Sequence, residues 1–169
     1  GDPGNDHPAL SLALDAEFVL EGPNGTRQVR AGGFFQGTYM TEMAEDELMV
    51  AIRVPAFAAG TGYAYQKLKR KTGEWATAGA AVVLRTTAGQ VSHVRIALTN
   101  LAPTALRAHD AEAALLGKPL SDAAIADAAQ RAMAICDPAE DLRGDRDYKT
   151  AMAGQMVQRS LRLALSRCK

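Results

Sequence analysis

Cysteine is scarce in this chain: two in 169 residues, Cys136 and Cys168, far apart and in no C-x-x-C pattern. An iron–sulfur cluster takes about four cysteine ligands, so the chain alone holds none. Its three histidines, His7, His93 and His109, lack the spacing of metal ligands. Both thiols therefore read as packed side chains, since free cysteine behaves as a small hydrophobe, and a reducing compartment fits. An excess of one charge is also lacking. Nineteen Lys+Arg meet nineteen Asp+Glu, for a formal net charge of +0. Nucleic-acid binders depend on phosphate contacts and carry a net basic field, so the balance argues against that class. No apolar run approaches the roughly 18 residues of a membrane-spanning helix. No secretory signal is visible, and the first residue is Gly1 rather than Met. Internal repeats and low-complexity tracts are missing too.

What is present suits a folded core. Hydrophobic residues make up 47% of the chain, too many for disorder, and the length allows one domain or two small ones. A first part reaches to about residue 59. In it an apolar stretch after Pro8 predicts a short helix, and "AEFVLEG", "TRQVRA" and "ELMVAIRVP" predict strands, the first two around the turn "GPNG". "FAAGTG" reads as a linker. From Gly60, "GYAYQKLKR" alternates as a strand with Tyr63, Tyr65, Lys67 and Lys69 on one face. "AGAAVVLRTT-AGQ-VSHVRIALTN" is a hairpin signal around Gly89. Three helices follow: "AHDAEAALLG" ending at Gly117, "SDAAIADAAQRAMAIC" capped by Ser121, and "DRDYKTAMAGQMVQRSLRLALSRC". The last carries Tyr148, Met152, Met156, Leu161 and Leu165 at helical spacing. The fold class is α+β.

Two stretches hold unusual residues. "GDPGNDHP" is rich in turn formers; Asp2 and Asp6 suit an Asx-turn and a helix N-cap, or Asp6 accepts hydrogen bonds from the hydroxyls of a sugar or ribityl chain. "KLKRKTGEWATAG" sets four cations, Lys67, Lys69, Arg70 and Lys71, before the single tryptophan, Trp75. Taken alone, a strand lysine is usually solvated and a lone tryptophan usually core. Taken together, they suggest the wall of a site for a flat anionic ring: an indole stacks on an aromatic ligand, and an ammonium stabilises charge at its edge. Gly73 permits a tight turn presenting Trp75, with Glu74 solvated or paired to a neighbouring cation.

In order and spacing, "GDPGNDHPALSLALDA", "FFQGTYMT…ELMVAIRVPAF", "KLKRKTGEWATAGAAVV", "VRIALTNLAPTALRA" and "DLRGDRDYKTAMAGQMV" resemble a known family. It is that of the medium, FAD-binding subunits of aerobic molybdenum–copper carbon monoxide dehydrogenases, within the molybdenum hydroxylases that include xanthine dehydrogenases. The resemblance covers essentially the whole chain and is sharpest at "GDPGNDHPA" and "KLKRKTGEWATAG". It implies that residues 1–59 are the C-terminal half of a FAD-binding subdomain. Residues 60–169 would be the C-terminal domain, a three-stranded antiparallel sheet with a three-helix bundle. It also implies FAD contacts: Asp6 at the ribityl and ribose, Leu48 and Met49 along the adenine, Lys67 at the pyrimidine edge of the ring and Trp75 beside it. Lys69, Arg70 and Lys71 fall to surface or subunit contacts.

The partners implied are an iron–sulfur small subunit with two [2Fe–2S] clusters and a large subunit with the molybdenum–copper cofactor, in a dimer of heterotrimers. The assembly would be cytoplasmic, peripheral at the inner face of the membrane where a quinone takes the electrons. The family's pyrophosphate-cradling loops, A-G-G-x-S and T-I-G-G, have no counterpart here. Gly32-Gly33, between arginine and phenylalanines, reads as a turn, and the chain reads as the C-terminal portion of such a subunit. Two other readings stand beside this one: a module that docks partner subunits without binding a cofactor itself, and the flavoprotein subunit of a purine or N-heterocycle hydroxylase.

Overall fold

The two β-branched runs around Gly89 form a ten-residue hairpin, β7 (Ala78–Thr87) with β8 (Gln90–Thr99), which is the centre of the molecule. A computed structural model describes residues 1–168. Ahead of the hairpin come α1 (Asp6–Ala13), β1 (Glu17–Gly22), β2 (Gly25–Arg30), α2 (Ala31–Phe34), β3 (Phe35–Gly37), β4 (Met40–Thr41), β5 (Leu48–Arg53) and β6 (Thr61–Leu68). After it come β9 (Leu106–Arg107), α3 (His109–Leu115), α4 (Asp122–Ala134) and α5 (Arg146–Arg167). All strand pairs are antiparallel, in sheets of order β2-β1-β5, β3-β4 and β6-β7-β8-β9. The α+β class holds, and two-residue β9 adds a fourth strand to the three expected in the C-terminal sheet.

Alternation along β7 and β8 gives the central sheet two apolar faces. Ala80, Val82, Leu84, Val94, Ile96 and Leu98 face the core shared with α3, α4 and α5. Ala81, Val83 and Ala97 face the other way, into a second core with Ala9, Leu12, Phe18, Leu20 and Phe34 from the first part of the chain. The central sheet is thus covered on both sides, and α1 lies on the face that carries Tyr65, Lys67 and Thr99.

The helices begin as their sequences prescribe. Ser121 Oγ accepts from the Ala124 N–H at 3.2 Å, and Asp145 Oδ1 from the Tyr148 N–H at 2.7 Å. Gly117, with φ +73, follows Leu116, the C-cap of α3. The buried stripe of α5 differs from the expected one. Tyr148 and Leu165 are exposed, and the buried residues are Lys149, Ala153, Gly154, Met156, Val157, Ser160, Leu161 and Ala164. Small residues on that stripe let the helix approach the sheet, close enough for Ser160 Oγ to donate to the Ala80 carbonyl at 2.9 Å. Lys149 is tolerated there because its Nζ donates to the Ala139 carbonyl at 2.6 Å and pairs with Asp141 at 2.9 Å.

The Gly32-Gly33 stretch is one turn of helix, α2, rather than the expected turn. Burial of Phe34 against Phe18, with ring centroids 4.3 Å apart, outweighs the poor helix propensity of two glycines. The cysteines are packed thiols as expected. Cys136 Sγ lies 3.3 Å from the Ala132 carbonyl and Cys168 Sγ 3.4 Å from that of Leu84, and burial pushes the Cys136 thiol up to about 12. Among the described residues no helix is long and apolar enough to cross a membrane.

Candidate functional site

Asp6 is not the N-cap of α1. That position belongs to Asn5, whose Oδ1 accepts from the His7 N–H at 2.9 Å. Asp6 stands one residue further, where its carboxylate reaches the central sheet. Its Oδ2 lies 2.9 Å from Lys67 Nζ, and its Oδ1 lies 3.1 Å from Lys67 Nζ and 2.7 Å from the Tyr65 hydroxyl. The same hydroxyl lies 3.1 Å from Thr99 Oγ1. Strand alternation puts Tyr65 and Lys67 on one face, as the sequence predicts, and Asp6 arrives there because α1 packs on that face. The pairing of residues 61 apart in sequence was not legible in advance. Burial pushes the Tyr65 phenol well above its usual value, with Asp6 adding to the rise against the Thr99 hydrogen bond, so it stays a donor.

The turn "GDPG" positions this carboxylate. Asp2 Oδ1 accepts from the Gly4 N–H at 2.9 Å, which is the expected Asx-turn. The Asn100 N–H donates to the Pro3 carbonyl at 2.9 Å, and Asn100 Nδ2 donates to the Ala76 carbonyl at 2.7 Å. Residues 1–5 are thereby held against the segment bearing Trp75, whose Cβ comes within 3.8 Å of the position a Cβ on Gly4 would take. Trp75 is 47% exposed, so the indole is not a core residue. Gly73 has φ +78, the left-handed turn that glycine allows. Glu74 is paired, at 2.6 Å to Arg70 and 3.6 Å to Arg143, which ties the loop to the segment ahead of α5.

The chain neighbours of Asp6, Asn5 and His7, line a cavity of about 340 Å³ together with Asp2, Ser11, Phe18, Phe34, Phe35, Met49 and Ile52. A bulge in the β1–β5 pairing at Val19/Leu20 leaves Val50 unpaired, and Met49 and Ile52 both face this cavity. Leu48 pairs with Glu21 and opens with Val50 onto the opposite face of the sheet. The structure therefore joins Asp6 to Lys67, sets Trp75 beside the turn that leads to Asp6, places Met49 in a cavity walled by the residues on either side of Asp6, and turns Leu48 the other way. Tyr65 and Thr99 join the Asp6 pair, and His7 and Ile52 line the cavity, without having been singled out as site residues in the sequence. Only the shared face of Tyr65 and Lys67 pointed to any of them.

The groups left unused fit parts of FAD. A lysine ammonium has three hydrogens and a carboxylate about four acceptor positions. The contacts among Asp6, Lys67 and Tyr65 leave Lys67 a donor and Asp6 an acceptor. With a half-exposed indole and an apolar cavity rimmed by polar groups, this set suits a flat ring with a polar edge, a hydroxylated chain and an adenine.

A larger cavity, about 650 Å³, lies away from these residues, with Asp15, Glu17, Arg30, Arg53, Arg95 and Arg107 in its walls. Asp15 pairs there with Arg95 and Arg107, each at 2.7 Å. Burial would raise the Asp15 carboxyl, but the Arg95 hydrogen bond and the charges of Arg107 and Arg95 outweigh it and hold the carboxyl below its usual value.

This fold, a central antiparallel sheet covered on one face by helices and on the other by the first part of the chain, is that of a flavoprotein family. Residues 63–164 match the family described as CO dehydrogenase flavoprotein C-terminal domain, and residues 1–57 match FAD binding domain in molybdopterin dehydrogenase. The chain belongs to the first of these families. It is 67% identical over 168 residues to the carbon monoxide dehydrogenase medium chain of Hydrogenophaga pseudoflava, across 99% of this chain and 58% of that protein. It is 47% identical over 169 residues to that of Afipia carboxidovorans, across 100% of this chain and 59% of the relative. A solved carbon monoxide dehydrogenase from Hydrogenophaga pseudoflava, lacking the Mo-pyranopterin moiety of its cofactor, superimposes with a TM-score of 0.99 at 72% identity, over 100% of this chain and 59% of the other. The chain thus spans under two thirds of the length of the relatives it matches.

Proposed function

We propose that this chain is the FAD-binding part of an electron-transfer subunit in a molybdenum hydroxylase of the carbon monoxide dehydrogenase type. The reaction of such an assembly is CO + H2O → CO2 + 2H⁺ + 2e⁻. Its partners would be a [2Fe–2S] small subunit and a large subunit with a molybdenum–copper cofactor, in a dimer of heterotrimers, with a quinone as acceptor at the inner face of the membrane. Bound FAD would supply the two-electron carrier between the clusters and that acceptor. Residues 1–59 would complete a FAD-binding subdomain and residues 60–169 form the C-terminal domain. Asp6 would accept from the ribityl and ribose hydroxyls, β5 would border the adenine through Met49 with Leu48 next to it in the strand and turned to the other face, Lys67 would donate to the pyrimidine edge and Trp75 would cover the ring.

The observation that carries this reading is the Asp6–Lys67 pair, with Trp75 half-exposed beside the turn that leads into it. The test is Lys67→Met in the FAD-loaded protein, which keeps the aliphatic stem and removes the charge. Reduced flavin is negative near the pyrimidine edge, so losing a cation should move the reduction potential more negative by tens of millivolts; about 30 mV corresponds to 1.4 kcal/mol for two electrons. Lys71→Met is the control and should do little. A potential unchanged by Lys67→Met removes Lys67 from the site.

A docking role is favoured by β5, an edge strand whose Leu48, Val50 and Ile52 are exposed. A colourless protein that still enters the assembly would support docking alone.

A further inference from the structure

Lys67 faces its site as half of an ion pair. A third side chain, Tyr65, reaches across the sheet to meet the pair. Lys67 stands opposite Gly79 in the β6–β7 ladder, and Gly79 stands opposite Thr99 in the β7–β8 ladder. Tyr65, two residues before Lys67, pairs with Ala81 and leans diagonally over Gly79. A Cβ on Gly79 would lie 2.9 Å from the Tyr65 hydroxyl and 3.2 Å from Thr99 Cβ. The missing side chain is the space through which the phenol passes. At its end the hydroxyl sits between Thr99 Oγ1 at 3.1 Å and Asp6 Oδ1 at 2.7 Å. Thr99 is fully buried.

From this geometry we infer that Tyr65, backed by Thr99, is a positioning residue of the flavin site: it fixes the Asp6 carboxylate, partly offsets its charge and so sets how much of the Lys67 charge reaches the ring edge. The inference rests on the flavin reading above. Without the phenol, Oδ1 keeps only Lys67 as a partner, and the ammonium is drawn more fully onto the carboxylate. A ligand at the ring edge then meets a more negative pair. A hydroxyl polarised by a second hydrogen bond is a stronger donor, so removing the Thr99 hydroxyl should act in the same direction and more weakly.

The experiment compares Tyr65→Phe, Thr99→Val, Asp6→Asn and the double variant Tyr65→Phe/Asp6→Asn in the FAD-loaded protein. Flavin reduction potential and thermal melting are the readouts, with Lys67→Met alongside. Tyr65→Phe should weaken binding of reduced relative to oxidised flavin about threefold, read as roughly 14 mV more negative, since tenfold is about 30 mV for two electrons. Thr99→Val should move the potential the same way by less, and serves as the second variant should Tyr65→Phe fold poorly. In the Asp6→Asn background the Tyr65→Phe shift should vanish, because the phenol acts through that carboxylate. A lower melting temperature with an unchanged potential would overturn the inference, as would a shift that persists without the Asp6 charge. If Lys67→Met also leaves the potential unchanged, the flavin-edge reading itself is wrong and the inference falls with it. If Lys67→Met shifts it and neither Tyr65→Phe nor Thr99→Val does, only the inference is overturned.

Discussion

At Trp75 the proposed flavin contact and the fold place different demands on one side chain. A buried tryptophan cut to alanine costs roughly 3–5 kcal/mol, but nearly half of this indole is in solvent. Its Cβ lies beside the 1–5 turn at Gly4. Trp75→Ala should therefore lower stability by well under that range, measured by chemical denaturation, while visibly changing the absorption or potential of bound flavin. A full core-sized loss of stability with an unaltered flavin spectrum would assign Trp75 to packing after all. Neighbouring residues divide the same way. The local placement of Trp75 and Lys67 was legible, because a glycine turn precedes the one and an alternating strand carries the other. The partner of Lys67 was not legible: Asp6 satisfies every local requirement of an N-cap, and only the docking of α1 onto the sheet shows that Asn5 caps the helix and frees Asp6. Lys149 was missed for a related reason. Its burial depends on Asp141 and the Ala139 carbonyl, in a loop whose shape no periodicity reveals.

Elements were more legible than residues where the signal was local. The β7–β8 hairpin followed from its β-branched runs, and α4 from its cap. The single turn α2 did not, because Gly32 and Gly33 oppose helix and the Phe34 contact that decides the matter is tertiary. The small β2-β1-β5 sheet has one further long-range tie with a measurable consequence. Arg27 on β2 reaches Glu47, just ahead of β5, at 2.6 Å through Nε and 2.8 Å through Nη2, and donates to the Glu42 carbonyl at 2.7 Å. The Arg27 hydrogen bond, helped by the Ala44 N–H, holds the Glu47 carboxyl at about 2, against an ordinary 4.5. A carboxyl depressed in the folded state contributes stability that is complete above its unfolded value and disappears as pH falls through the folded one. Glu47→Gln should thus melt below the parent at pH 7. The gap should close as pH falls from about 4.5 towards 2, as thermal melts across that interval would show. A gap independent of pH would mean that the glutamate acts by packing rather than by charge.

At the scale of the whole molecule, the question is whether residues 60–168 form a unit that stands alone. Composition and the linker "FAAGTG" suggest they do, and their sheet with three helices contains one complete core. The other face of the same sheet is not polar. Ala81, Val83 and Ala97 on it, with Ala105 nearby, are buried against α1, β1 and α2, within the core built on Leu12, Phe18 and Phe34. The Asp6–Lys67 pair lies on this face as well, since Asp6 enters it with α1. A chain cut to residues 60–168 would therefore bring an apolar sheet face into water, at a cost proportional to the area uncovered, and would lose the partner of Lys67. Its secondary structure by far-ultraviolet circular dichroism should persist, because the helices and the opposite face remain packed. Its melting temperature should fall below that of the 1–169 chain, and it should bind a hydrophobic dye that the longer chain does not. Leu12→Ala in the longer chain offers a graded version, with an expected loss of about 2–5 kcal/mol for a buried leucine. Equal melting temperatures for the two lengths would show that α1 contributes nothing to the C-terminal unit. The placement of Asp6 against the sheet would then have to come from the 1–5 turn alone.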